Sequence, residues 1–222
     1  MSAALQERLR AGVQSLGLVL DEAQLAKLLD FMGLLQKWNK VYNLTAVRNP
    51  EEMLTHHLLD SLAAVAPLRR HLAGQGGVAG LRLLDVGSGG GLPGVVFAIC
   101  CPGLDVSCVD TVAKKAAFIQ QAAVTLGLSN LHGIHARVEA LAGPFDVVSC
   151  RAFASLADFT AWSRQLLAPQ SVWLAMKGRH PQDEIAALPA GVQVFHVEQL
   201  VVPGLDAERC IVWMRPCADG VA

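Results

Sequence analysis

The sequence predicts an α/β fold: a mostly parallel, seven-stranded sheet with helices on both faces, preceded by an N-terminal helical segment. Three observations carry that reading. From residue 81 onward, short β-rich apolar runs alternate with helical stretches, as βαβ units require. The apolar fraction is 53% and the mean hydropathy +0.40, which suits a sheet covered on both faces. A glycine-dense turn follows the first of these strands, at the edge where open α/β sheets bind ligands.

From Leu5 to Leu72 the periodicity is helical, and Leu25, Leu28, Leu29, Met32, Leu35 and Trp38 fall on one apolar stripe. Asp21 is placed to cap that helix, with Gln24 as its capping-box partner. Asn49-Pro50-Glu51-Glu52 writes another start: Asn caps, Pro fits the first turn, and the acids suit the positive end of the dipole. Residues 74–80 (GQGGVAG) hold four glycines and cannot sustain a helix. The helical segment is therefore expected over residues 1–73, packed on a core of residues 74–222. In the core, strands are expected at 81–86, 105–110, 131–136, 145–150 and 171–176, with helices at 92–101, 113–126 and 154–167. Runs 192–202 and 210–214 would add edge strands.

Several function classes are excluded by composition. The apolar run Leu92 to Pro102 is too short to span a bilayer and contains two prolines. Gln6, Glu7, Arg8 and Arg10 stand where a signal peptide needs an apolar stretch, so a cytoplasmic protein is expected. Six cysteines form no C-x-x-C pair, so no metal site or disulfide framework is expected. With a net charge of −1, any nucleic-acid binding must use a local patch.

Leu83 to Gly94 (LLDVGSGGGLPG) reads as a buried strand followed by a ligand loop in which glycines let the backbone turn sharply. Gly89 to Gly94 also matches G-x-G-x-x-G, so a dinucleotide site and a plain glycine turn both compete. Asp85 would repel a pyrophosphate but orient a cationic cofactor, and Pro93 withholds an N–H from the helix start. Both favour S-adenosylmethionine. Asp110 ends the next strand about twenty residues on, where such folds place an acid against ribose hydroxyls.

Five words spread over nearly the whole chain then read together: Trp38 to Thr45 (WNKVYNLT), His57 to Leu62 (HLLDSL), Asp85 to Gly94, Arg151 to Leu156 (RAFASL) and Met176-Lys177-Gly178. In this the sequence resembles the RsmG family (glucose-inhibited division protein B). The resemblance implies a Rossmann-like class I methyltransferase fold and transfer of methyl from S-adenosylmethionine to N7 of one guanine in 16S ribosomal RNA of the small subunit. It further implies cofactor contacts at Gly87, Leu92, Val138 and Glu139, with Arg151 a cofactor or active-site residue. Gly90 and Lys115 depart mildly from the family pattern.

Guanine N7 carries an in-plane lone pair, so no general base is needed and positioning should supply most of the catalysis. The expected catalytic residues are Arg151 and Lys177, at the ends of two strands. The expected cofactor set is Asp85, Gly87, Gly89, Gly91, Leu92, Asp110, Val138, Glu139 and Arg151. Lys114, Lys115, Arg137, Arg179 and Phe153 are expected to contact RNA, as a basic rim and a stacking platform. Structural alternatives stand beside each: Arg151 pairing with Asp110 or Glu139, Phe153 in the core, the lysines as solvated charges. His57 and Asp60 are expected to pair with each other, and Lys37, Lys40, Arg48, His56 and His57 to extend the rim if the helices fold over the same edge. A monomer is expected. A small-molecule methyltransferase, a dinucleotide enzyme and a non-catalytic RNA-binding regulator remain as rival functions.

Overall fold

Seven strands, β1 (Arg82–Val86), β2 (Asp105–Asp110), β3 (Leu131–His135), β4 (Phe145–Arg151), β5 (Leu167–Lys177), β6 (Val192–Leu200) and β7 (Arg209–Pro216), form one sheet ordered β3-β2-β1-β4-β5-β7-β6. The computed structural model describes residues 2–217, so the end of the expected core, 218–222, lies outside the described residues. The first five strands are parallel, and β7 runs antiparallel between β5 and β6. Chain order reverses between β1 and β4, which opens the crevice where such sheets take ligands.

Two expectations shift here. The 210–214 run is interior rather than an edge, because every residue of CIVWM is buried while β6 carries Gln193, His196 and Glu198. The 154–167 helix is shorter, and β5 begins earlier, at Leu167.

The helical segment consists of α1 (Ala3–Ser15), α2 (Glu22–Tyr42), α3 (Pro50–Met53), a π-helical turn (Leu54–Leu59), α4 (Asp60–Ala63) and α5 (Val65–Ala73). Asp21 and Gln24 form the capping box of α2, and Asn49 caps α3 through Glu51 and Glu52 N–H groups. The stripe of α2 faces the helices α6 (Gly94–Cys100) and α7 (Ala113–Leu126) that cover one face of the sheet: Trp38 and Phe31 lie 5.4 and 6.2 Å from the Phe118 ring. A single apolar cluster runs from Leu5 in α1 through Leu28, Leu59 and Phe97 to Val147 in β4. On the other face of the sheet, α8 (Leu156–Ser163) and α9 (Gln182–Ala186) cover a second cluster around Trp173, whose Nε1 donates to Ser163 Oγ at 2.9 Å. No helix among the described residues is long and apolar enough to cross a membrane.

The approach of α7 to β3 is set by Gly133. A Cβ there would lie 2.5 Å from Ala116 O and 3.0 Å from Gln120 N, both backbone atoms. Gly133→Ala is therefore expected to lower unfolding stability by about 1–3 kcal/mol in urea titrations, the usual cost of overpacking. An unchanged midpoint would show that helix and strand can separate freely.

Candidate active site

The loop after β1 is built from hydrogen bonds that leave one side open. Gly87 and Ser88 N–H groups both donate to Val109 O, and Gly89 N donates to Asp110 Oδ2 at 3.0 Å. Gly87 has φ +65°, and a Cβ there would lie 2.3 Å from the Phe153 ring. Glycine is thus required both by conformation and by close approach.

Around that loop lie two clefts. One, of about 590 Å³, is walled by Ser88, Gly89 and Leu92 on the loop side, by Arg151, Lys177 and Arg209 at the sheet edge, and by Thr45, His57 and Asp60 of the helical segment. The other, of about 520 Å³, is lined by Asp110, Ala136, Val138, Glu139, Phe153 and Trp162, among others. Gly87, Lys115 and Ala152 belong to both. Ala152 takes φ +50°, a left-handed conformation that a non-glycine residue rarely adopts, directly after Arg151 at the end of β4.

Asp85 does not reach either cleft. It is fully buried, with Oδ2 accepting from Gly94 N and Oδ1 from Ser149 Oγ, both at 3.0 Å. Its expected contact with a cationic cofactor is corrected: it ties the first N–H of α6 to β1 and β4 from inside. The same bond bears on the dinucleotide reading, because Pro93 lacks an N–H and the next one is already taken. Burial pushes the Asp85 carboxyl up to about 7, against the opposing hydrogen bonds from Gly94 and Ser149.

Arg151 pairs with neither Asp110 nor Glu139. Its Nη1 donates to Asp60 Oδ2 at 2.7 Å and to His56 O at 3.0 Å, while Arg209 Nε donates to Asp60 Oδ1 at 2.7 Å. One buried carboxylate from the helical segment thus fixes two guanidiniums from β4 and β7 in the first cleft. Asp60 is consequently not the partner of His57, whose Nε2 lies 2.7 Å from Thr45 Oγ1. Burial, reinforced by Arg151, drives the His57 pKa down to about 4, so the imidazole is neutral.

Other expected residues fall into place differently. Lys177 Nζ is committed to Glu184 at 2.8 and 3.0 Å and to Ala154 O at 3.4 Å, so its ammonium braces α9 and the turn before α8 although its chain lines the first cleft. Lys115 Nζ sits 3.5 Å from Asp110 Oδ2 and lines both clefts rather than an outer rim. Phe153 packs edge-on against Phe159 and Trp162 and floors the second cleft, so it offers no free platform above the first. Gly91 lines neither cleft and serves the turn into α6, with φ +81° and Val95 filling the space of a Cβ. Leu92 and Gly89 line the first cleft; Arg137, Val138 and Glu139 line the second. Lys114 and Arg179 are exposed and line neither. Sequence reasoning missed Arg209, Thr45 and the bridging role of Asp60. The HLLDSL and NLT words carried a signal for the last two, but Arg209 stands in no motif.

The paired clefts fit S-adenosylmethionine: a slot walled by Val138 and Phe153, a carboxylate at Asp110 for hydroxyls, and a glycine cradle leading to a second chamber. The same fold occurs in TrmN from Thermus thermophilus, with a TM-score of 0.54, 19% identity, and coverage of 74% of this chain and 53% of that one. It recurs in a SAM-dependent methyltransferase from Aquifex aeolicus, with a TM-score of 0.52, 15% identity, and coverage of 75% and 98%. The fold is that of the class I S-adenosylmethionine-dependent methyltransferases. The sequence matches the family described as rRNA small subunit methyltransferase G over residues 24–212. Proteins named Ribosomal RNA small subunit methyltransferase G are 80% identical in Acidovorax ebreus (97% of both chains) and 58% identical in Methylibium petroleiphilum (96% of this chain, 95% of that one). The chain belongs to that family.

The buried Asp85 has a measurable consequence. Its unfolded-state value is near the ordinary 3.8, whereas the native carboxyl keeps its proton to about pH 7, so stability falls as pH rises through that window. In Asp85→Asn the amide oxygen still accepts from Gly94 N and the NH₂ can donate to Ser149 Oγ. Its stability relative to Asp should therefore rise by roughly 2–4 kcal/mol between about pH 4 and pH 8 in urea unfolding. Parallel pH curves for the two proteins would rule out a native pKa this high.

Proposed function

We propose that this protein transfers the methyl group of S-adenosylmethionine to N7 of guanine 527 in 16S ribosomal RNA, by direct in-line attack. The observation that carries the proposal is the first cleft. It joins the glycine cradle to two arginines held by Asp60, and its outer wall comes from the helical segment. Membership of a family whose relatives bear the name of a small-subunit ribosomal RNA methyltransferase supplies the substrate.

Asp110 would hold the ribose hydroxyls, Val138 and Glu139 with Phe153 the adenine, and Gly87, Gly89 and Leu92 the methionine end. Bound there, the cofactor supplies an electrophilic methyl on a sulfonium. No residue has to remove a proton from guanine N7, and the site agrees with that: His57 is neutral but tied to Thr45, and Asp85 is sealed behind the loop. What the chain provides is positioning and charge. Arg151 and Arg209 keep unbonded guanidinium N–H groups in the cleft and can donate to guanine O6 or to a phosphate oxygen. In this reading residues 1–73 complete the RNA side of the cleft, residues 74–222 bind the cofactor, and the protein works as a cytoplasmic monomer.

The direct test is incorporation of tritiated methyl into small ribosomal subunits and into free 16S RNA, followed by nucleoside analysis. A single 7-methylguanosine is expected in one of the two substrates. RNA binding without turnover would instead describe a regulator, and methyl at another base or atom would refute the assignment.

For the arginine pair, Arg151→Ala should reduce methyl transfer by about ten- to a hundredfold. The fold should survive, since Arg209 still neutralises Asp60. Arg151→Lys should recover little, because an ammonium cannot reproduce the planar fork. Full activity of either variant would remove Arg151 from the reaction. Asp60→Ala acts on stability as well: two half-buried guanidiniums lose their shared partner, at a cost of about 1–3 kcal/mol read from the thermal midpoint.

A further inference from the structure

Behind the wall of the first cleft lies a third, separate concavity. Helix α2 presents Gly33, Gln36, Lys37 and Lys40 on one face, at spacings of three, one and three, and Arg48, Pro50 and Met53 close the far side. The resulting groove measures about 490 Å³ and shares no lining residue with either cleft. Three features distinguish it from an ordinary solvated helix face.

Lys37, Lys40 and Arg48 converge on it, no Asp or Glu lines it, and none of the three forms an ion pair among the described residues. On a chain of net charge −1, that is a local concentration of unneutralised cations. The Gln36 Nε2 group is buried beside them without a hydrogen-bond partner, a donor left unused. Gly33 stands in the middle of a 21-residue helix, where glycine is a poor former, and packing does not explain it: a Cβ there would meet nothing within 4 Å. A glycine that the fold does not need keeps the floor of the groove open to a closely approaching backbone.

The groove also abuts the reaction site. Asn39 Oδ1 accepts from Thr45 N at 2.9 Å and its Nδ2 donates to Val47 O at 3.3 Å, which pins the loop between α2 and α3 as a partition. Thr45 faces the first cleft on one side of that partition, and Arg48 faces the groove on the other.

We propose that this groove is a second RNA site, binding phosphodiesters that flank the target nucleotide as the strand crosses the 43–49 loop into the cleft. The inference rests on the RNA substrate proposed above. It concerns affinity and register, not methyl transfer itself.

The test compares the wild type with Lys37→Ala/Lys40→Ala/Arg48→Ala, the charge-conserving Lys37→Arg/Lys40→Arg, and Gly33→Gln. Binding of 16S RNA is followed by filter retention from low to high salt, methyl transfer is followed on small subunits, and S-adenosylhomocysteine binding reports an intact core. The triple variant should bind S-adenosylhomocysteine normally, lose about tenfold or more in RNA affinity, and show a salt slope smaller by about 2. Its KM should rise while kcat holds. The Lys-to-Arg variant should bind RNA as the wild type does. Gly33→Gln should weaken RNA binding although it favours the helix, which separates obstruction from misfolding. Wild-type affinity and salt slope in the triple variant would overturn the proposal. Groove-dependent RNA binding by a wild type that transfers no methyl would instead leave the groove standing and overturn the catalytic reading. A wild type that neither binds nor methylates RNA would overturn both.

Discussion

Asp60 accepts hydrogen bonds from Arg151 and Arg209, and this shared contact joins the helical segment to the carboxyl edge of the sheet. A carboxylate with 4% of its side chain exposed is costly to ionise unless its charge is answered locally. Two arginines overcompensate it, so the cluster carries a net positive charge into the first cleft. The arrangement therefore does two things with one interaction. It holds the helices against β4 and β7, and it fixes both guanidiniums in the wall of the first cleft.

The glycine loop follows a different logic, in which one carboxylate is sealed inside. Asp85 fills the position at the start of α6 that a pyrophosphate would need, and it is pushed toward the neutral acid by its surroundings. Asp110 lines the second cleft and accepts from Gly89 N and Val112 N, which fixes the orientation of its oxygens. Phe153 packs over Gly87, coupling the shape of the glycine turn to the floor of the second cleft. Any side chain at Gly87 would displace the ring that lines the second cleft, so loop and cleft cannot vary independently.

Much of this was legible in the sequence, for reasons that differ between elements. The capping box at Asp21, the cap at Asn49 and the α2 stripe are local patterns, and local patterns read directly. The glycine loop was readable because backbone freedom is written in residue type. Partner choice was not. Arg151 could have paired with any acid near the sheet edge, and its true partner, Asp60, is ninety-one residues away. Lys177 looked like an active-site ammonium because strand ends gather functional groups, but Glu184 lies close enough to take both of its short bonds. The interior place of β7 was hinted at by five consecutive buried apolar residues, yet no spacing rule states that the last strand inserts between β5 and β6.

The π-helical turn at Leu54–Leu59 shows why the HLLDSL word has to be where it is. A regular helix through residues 50–63 would carry its apolar stripe on one face and leave His57 and Asp60 to whichever direction that stripe dictates. A wider turn changes the angular spacing at one point, and such turns are frequent at functional sites. Here Leu54, Leu58, Leu59 and Leu62 all remain buried in the core while His57 and Asp60 both line the cleft. The segment thus meets two conflicting demands, packing and presentation, by departing from α geometry for six residues. That departure lets the helices supply a wall of the first cleft rather than merely cover the sheet, and it makes that cleft a property of the whole chain instead of the sheet and its own helices alone.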